Sequence, residues 1–288
     1  TVKGLGQLYI LDLSNNELEN LRPGVFEGLG GLRHLNLSSN SFYYISAGVF
    51  DGLRRKCNCQ MIKTQSILDL SDTVIDGLDD GALRNLCFFT QLKISFIYGF
   101  QAKYSCSLRS LQLQDCYEYQ YWSGILEGLY NVIRVSMYTC YLKKIPNRFL
   151  KDSQLLKKLS IVWSEVEELE FNCFQWLQSL SELDLSHNSI KHLNYTVFTD
   201  LRSLKKLDLS HNRLYTIHES NFMGLSHLRF LDISHNDLDS LKSRTFFQLF
   251  PSLRELNIID AFQSEAFLGL FSLKEPSDTV LHATQCDT

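Results

Sequence analysis

A repeating period constrains this chain more than any other feature. The pattern L-x-x-L-x-L-x-x-N-x-L appears first at Leu8, Leu11, Leu13, Asn16 and Leu18, and it returns along the whole sequence. With the second leucine as phase marker, the copies fall at Leu11, Leu35, Leu68, Leu92, Leu111, Val135, Leu159, Leu183, Leu207, Leu231 and Leu256. Seven of the ten steps are 24 residues, and the others are 33, 19 and 25. A length of 288 residues alone suggests two globular domains, but the period points to one elongated array over 1–288.

The alternation x-L-x-L sends every second side chain inward from a short strand. One copy cannot bury its leucine face alone, so copies must stack as parallel strands about 4.8 Å apart. The asparagine that follows sits at a bend where backbone groups need partners, and its amide both donates and accepts. Asn16, Asn40, Asn188, Asn212 and Asn236 fill this place. Fifteen residues after the marker, Phe26, Phe50, Phe174, Phe198, Phe222 and Phe246 predict a stacked aromatic spine, with Leu83 and Leu150 substituting in two copies. The expected fold is an α/β solenoid, a curved horseshoe of about eleven copies with its parallel sheet on the concave face. A regular block spans 5–56, an irregular centre 57–179, a second regular block 180–260 and a degenerate segment 261–288. Both ends read as cut from a longer, uncapped array: Leu5-Gly6-Gln7-Leu8 aligns with Leu29-Gly30-Gly31-Leu32, and the pattern dissolves after Asn257-Ile258-Ile259.

The core motif and its following L-x-x-x-x-F-x-x-L resemble the 24-residue class of leucine-rich repeat found in extracellular receptors, over roughly residues 5 to 273. At the ladder position the central copies carry Thr73, Ile97, Cys116, Cys140 and Ser164 in place of asparagine. Regular outer blocks around such a centre look like a Toll-like receptor ectodomain. That resemblance implies recognition of a microbial ligand of unknown class and signalling through a second ectodomain. It also implies a single membrane-spanning segment outside this chain, which places the chain on the extracellular or endosomal-lumenal side. Rival readings are a secreted or matrix leucine-rich adhesion or structural protein, a variable lymphocyte-type antigen receptor, and a cytosolic inhibitor or ligase adaptor with every thiol free.

Sorting the outward strand positions into columns suggests where a ligand would sit. Phe96, Tyr138, Val162 and Trp163 gather in the centre, flanked by Arg134 and Lys158, with Tyr117, Tyr119, Tyr121 and Trp122 close by in sequence. Exposed aromatics beside cations have the composition of a recognition patch; the alternative is that a distorted centre turns these rings inward. His187, His211 and His235 stand 24 residues apart and so on adjacent strands about 5 Å apart. Protonated, they would form a stripe for an anionic ligand; otherwise they are an ordinary spelling of L-S-H-N. The acidic column Asp184, Asp208 and Asp232 has the same two readings, cation binding or local hydrogen bonding.

Cys116 and Cys140 read as buried thiols standing in for the ladder amide. Cys57, Cys59, Cys87 and Cys106 are the disulfide candidates, with pairing undecided, while Cys173 and Cys286 have no evident partner. Sequons stand at Asn36-Leu37-Ser38 and Asn194-Tyr195-Thr196, so Asn36 and Asn194 are candidate glycan acceptors, the first on the concave face. The formal charge of −4 gives no nucleic-acid signature. Catalytic motifs such as G-x-S-x-G, H-E-x-x-H and G-x-x-x-x-G-K-[ST] are missing, so no catalytic residue, metal site or cofactor is expected. The whole reads as a binding scaffold.

Overall fold

The computed structural model describes residues 4–53, 65–79, 82–83, 89–95, 107–116, 126–239, 251–262 and 279–282. The chain divides into two compact units, residues 1–138 and 139–288.

In the first unit, strands β1 (Ile10–Asp12), β2 (His34–Asn36), β4 (Ile67–Leu70), β6 (Gln91–Ser95), β7 (Ser110–Gln114) and β8 (Arg134–Tyr138) run side by side, all parallel. A second pair, β3 (Tyr44–Ile45) and β5 (Gly77–Leu78), is also parallel. The phase markers are the register: Leu11 faces Leu35, Leu35 faces Leu68, and so on to Leu111 opposite Val135. Steps of 33 and 19 residues leave that register intact.

In the second unit, β9 (Lys144–Ile145) pairs with β11 (Glu168–Leu169), and the main ladder contains β10 (Lys158–Val162), β12 (Glu182–Asp184), β13 (Lys206–Asp208), β14 (Phe230–Asp232), β15 (Glu255–Asn257) and β16 (Val280–His282). Strand β16 extends the array into the segment expected to be degenerate. Leu281 sits opposite Leu256 after another 25-residue step, without the flanking leucines that would have marked it in sequence. Among the described residues, helix is confined to single 3-10 turns such as Asp51–Leu53 and Glu219–Phe222. Among the described residues, no helix is long and apolar enough to cross a membrane.

The core follows the predicted alternation. Marker and second-leucine positions are buried from Leu35 to Ile258, with Leu11, Leu13 and Leu281 half-buried in the outermost copies; Phe26, Phe50, Phe174, Phe198 and Phe222 are buried too, with Leu83 and Leu150 in their stead in two copies. Phe26 stacks on Phe50 at 6.0 Å, Phe174 on Phe198 at 6.1 Å and Phe198 on Phe222 at 6.4 Å. Such offset stacks contribute beyond their buried area. Phe246 lies outside the described residues.

The asparagine ladder forms as the bend chemistry requires. The Nδ2 of Asn212 donates to the carbonyls of Leu185, Leu209 and Ser210 at 2.9, 3.1 and 3.2 Å, and its Oδ1 accepts the Ile190 amide at 3.0 Å. Asn40, Asn188 and Asn236 do the same in their copies, reaching Leu13, Ile161 and Leu209 of the preceding repeat. Asn16 is exposed and its amide bonds only its own turn, at Leu13 and Ser14.

One sequence expectation about cysteine is corrected. Cys116 and Cys140 are both disulfide-bonded and are not free thiols standing in for an amide. A cysteine at a buried bend can close a sulfur–sulfur bond as readily as it can offer a hydrogen bond, and at both positions it does the former. Among the described residues the free cysteine is Cys173, buried, with burial pushing its thiol pKa far up and leaving it inert. Cys57, Cys59, Cys87, Cys106 and Cys286 lie outside the described residues.

Candidate ligand-recognition surface

In every described copy, the residue four places after the phase marker adopts a left-handed backbone. Asn15, Ser39, Asp72 and Asp115 do so in the first unit, with φ of 51° to 54°. In the second unit Thr139, Trp163, His187, His211, His235 and Asp260 follow, with φ of 50° to 55°. This is where the chain leaves the strand and turns toward the ladder asparagine. Asn, Asp, Ser and His tolerate the region because a short polar side chain can bond locally, whereas a bulky residue there carries strain of roughly 1–2 kcal/mol. Trp163 is the bulky one.

The turn aims these side chains into one column. The Trp163 ring stacks on His187 at 3.9 Å, His187 on His211 at 4.1 Å and His211 on His235 at 4.2 Å, with interplanar angles of 13°, 11° and 17°. His235 Nδ1 lies 3.5 Å from Asp260 Oδ2 at the far end. Trp163 is 59% exposed, so the column opens to solvent at its tryptophan end. Burial, with His187 and His235 on either side, holds the His211 imidazole below its usual pKa. Three parallel imidazoles this close cannot all be charged at low cost.

Beneath the rings runs a column of buried serines, Ser186, Ser210 and Ser234, and beside it Asp184, Asp208 and Asp232. Each aspartate accepts both the amide and the hydroxyl of the serine two residues on, the hydroxyl at 2.6–2.7 Å. Asn257 Nδ2 adds a bond to Asp232 Oδ2 at 2.8 Å. Burial raises the pKa of Asp208, and Asp184 and Asp232 add to the rise. The local hydrogen-bonding reading of this column is thus the one its geometry supports.

On the other flank, charges pair along the strands. Lys158 Nζ lies 2.6 Å from Glu182, Lys206 Nζ sits 4.7 Å above the Phe230 ring, and His282 Nε2 lies 3.3 Å from Glu255. Exposed contacts of this kind confer little stability.

The sequence-predicted site residues divide accordingly. Lys158, Trp163, His187, His211 and His235 share this face of the second unit. Val162 does not present itself there: it is 7% exposed, buried like Ser186, Ser210 and Ser234 at the same place in the following copies. Arg134, exposed, opens β8 of the first unit, and Tyr138, half-buried, closes it. Phe96 and the run Tyr117, Tyr119, Tyr121 and Trp122 lie outside the described residues. Asn36 is half-buried on β2, its Oδ1 accepting the amide and hydroxyl of Ser38, and Asn194 is exposed in the loop after Leu193. The left-handed column itself escaped sequence reading, although its succession of Asn, Ser, Asp and His is the signal that marks such a site.

Comparison with known proteins agrees with this architecture. A family model described as leucine rich repeat matches residues 6–55, 154–214 and 202–260. No curated protein sequence matches the chain. Solved chains that match number 371, so structural likeness speaks for the fold and not for one function. One of them comes from a structure of the Toll–Spatzle complex, described as a hub in Drosophila development and innate immunity. Its TM-score is 0.64 at 17% identity, and the match covers 98% of this chain but 45% of that one.

Proposed function

The chain belongs to the leucine-rich repeat family, and on that premise we propose that it is part of the ligand-recognition ectodomain of a Toll-like innate immune receptor. In this reading the chain is a binding scaffold and not an enzyme, stands outside the cell or in an endosomal lumen, and signals when a ligand brings two ectodomains together. Support comes from the repeat class, from the fold similarity to Toll, and from the ring column.

A single observation carries the reading. Trp163 is bulky, held in a left-handed backbone and 59% exposed, so it supports no core and bears strain. An exposed tryptophan on a stacked base of imidazoles is a preorganised anchor of the kind that dominates binding interfaces. Lys158 and the three histidines complete the contact surface, with microbial molecules as its ligands.

The test is to immobilise a secreted form of the chain and present it with bacterial lipids, bacterial protein fractions and secreted proteins of the source organism. Trp163→Ala should weaken any specific binding by ten-fold or more, about 1.4 kcal/mol or above, while leaving the thermal transition in place. Equal binding by the two proteins would exclude the ring column as the site.

A further inference from the structure

The flank opposite the ladder asparagines carries a feature that ligand recognition does not absorb. Phe171 and Tyr195 each stand twelve residues after a phase marker, Leu159 and Leu183, and so occupy one column in neighbouring copies. They are 59% and 63% exposed, and the Tyr195 ring lies 5.8 Å from that of His218 in the next copy. Two large apolar side chains exposed in one column leave apolar surface in water that a covering group would remove.

We propose that Asn194 carries an N-linked glycan whose first sugars lie over Phe171 and Tyr195. The proposal rests on the extracellular reading above. Asn194-Tyr195-Thr196 is a sequon on exposed chain, so the acceptor adjoins one of the two rings. Its side chain also points toward the other: Asn194 Nδ2 donates to the Leu169 carbonyl at 2.6 Å, two residues from Phe171. A glycosylated amide keeps one N–H, so it can hold that bond while the sugar leaves from the same nitrogen. The C–H-rich face of an N-acetylglucosamine is a natural cover for an aromatic ring, and the outer sugars are solubilising.

Asn36 differs in each respect. It lies half-buried within β2, between Asp12 and Asp69 on the adjacent strands, with Oδ1 committed to the amide and hydroxyl of Ser38. A sugar there would have to leave from between two flanking strands.

The transfer uses a lipid-linked oligosaccharide diphosphate as donor. The Asn194 Nδ2–C1 bond forms, the C1–O bond to the diphosphate breaks, the lipid diphosphate leaves, and the amide nitrogen loses one proton.

The experiment expresses the full chain behind a secretion leader in animal cells. Site occupancy is read by mass spectrometry after enzymatic deglycosylation in heavy water. Exposure of the rings is read by a hydrophobic dye and by chymotrypsin cleavage after Phe171 and Tyr195, before and after deglycosylation. The expected result is an occupied Asn194, with dye fluorescence rising roughly twofold and cleavage accelerating once the glycan is removed. In a Phe171→Ser, Tyr195→Ser variant, deglycosylation should leave the dye signal flat. An empty Asn194 on the secreted chain, or deglycosylation without any gain in dye or cleavage, overturns the glycan and leaves the receptor reading intact. Retention of the natural full-length protein in the cytosol overturns both.

Discussion

Two kinds of copy share this array, and they differ in how each repeat is tied to the next. Where asparagine fills the bend, as at Asn188, Asn212 and Asn236, one side chain makes four or five hydrogen bonds and spans two copies. Where serine or threonine fills it, the tie shrinks. Ser164 Oγ accepts the Cys140 amide at 3.1 Å and donates to the Val162 carbonyl at 2.9 Å, while Thr73 Oγ1 donates to Leu70 of its own turn at 2.6 Å. A short hydroxyl can satisfy its own bend, but a carboxamide can also reach the carbonyl of the preceding strand. Asparagine-bearing copies should therefore be coupled neighbours, and the serine and threonine copies should open more independently.

The sharpest way to break that contrast is Asn212→Ala. It removes four bonds and leaves buried backbone groups at Ile190 and Leu185 without this partner, so a loss of about 3–5 kcal/mol is expected. Denaturant unfolding measures it, and amide exchange should report deprotection spreading from residue 190. Ser164→Ala removes two bonds and should cost about 1–2 kcal/mol. If it costs as much as Asn212→Ala, the count of inter-copy bonds is not what separates the two kinds.

A smaller effect, of opposite sign, is expected at Asp208. Burial and two neighbouring carboxylates raise its pKa, so its charged form is disfavoured in the fold; stability is highest below the ordinary carboxylate value and falls as pH rises through the raised one. Asn36 and Asn257 fill the same place in other copies. Asp208→Asn should thus gain about 1 kcal/mol at neutral pH, a rise of a few degrees in Tm, and flatten that part of the pH profile.

The smallest expected effect tests the ring column. His211 is held below its ordinary pKa, so the unfolded chain takes up its proton first. Stability is full above the ordinary histidine value near 6.5 and declines as pH falls through it toward the lowered one. His211→Asn, the residue type that Asn15 presents at the same left-handed position, should reduce the loss of Tm between about pH 7 and pH 5. An unchanged slope would mean the stack does not resist protonation.

Most of the fold was legible because a period is a global constraint. The markers from Leu11 to Leu256 gave the strand register directly, even across steps of 33 and 19 residues. The asparagines and phenylalanines gave the ladder and the spine. What escaped depends on where strands stop. Val162 reads as outward and open by alternation, yet the place just before the left-handed turn is buried there as it is at Ser186, Ser210 and Ser234. The bonded state of Cys116 and Cys140 depends on which sulfurs the fold brings together, which a hydrogen-bonding argument does not contain. The column of His187, His211 and His235 was visible as spacing, but only geometry showed the imidazoles face to face with Trp163 at the end.

The left-handed residue has a consequence for how such a protein can change over generations. It stays four places after the marker at Ser39, Asp72, Asp115 and Thr139, although the copies that hold them are spaced 33, 43 and 24 residues apart. Variation in copy length therefore falls elsewhere in the repeat and leaves the strand and its bend unmoved. Mutation can rewrite the ring column one side chain at a time, as the succession from threonine to tryptophan to histidine already does, while insertions accumulate away from it. Contact chemistry and repeat length can then evolve separately within one covalent unit.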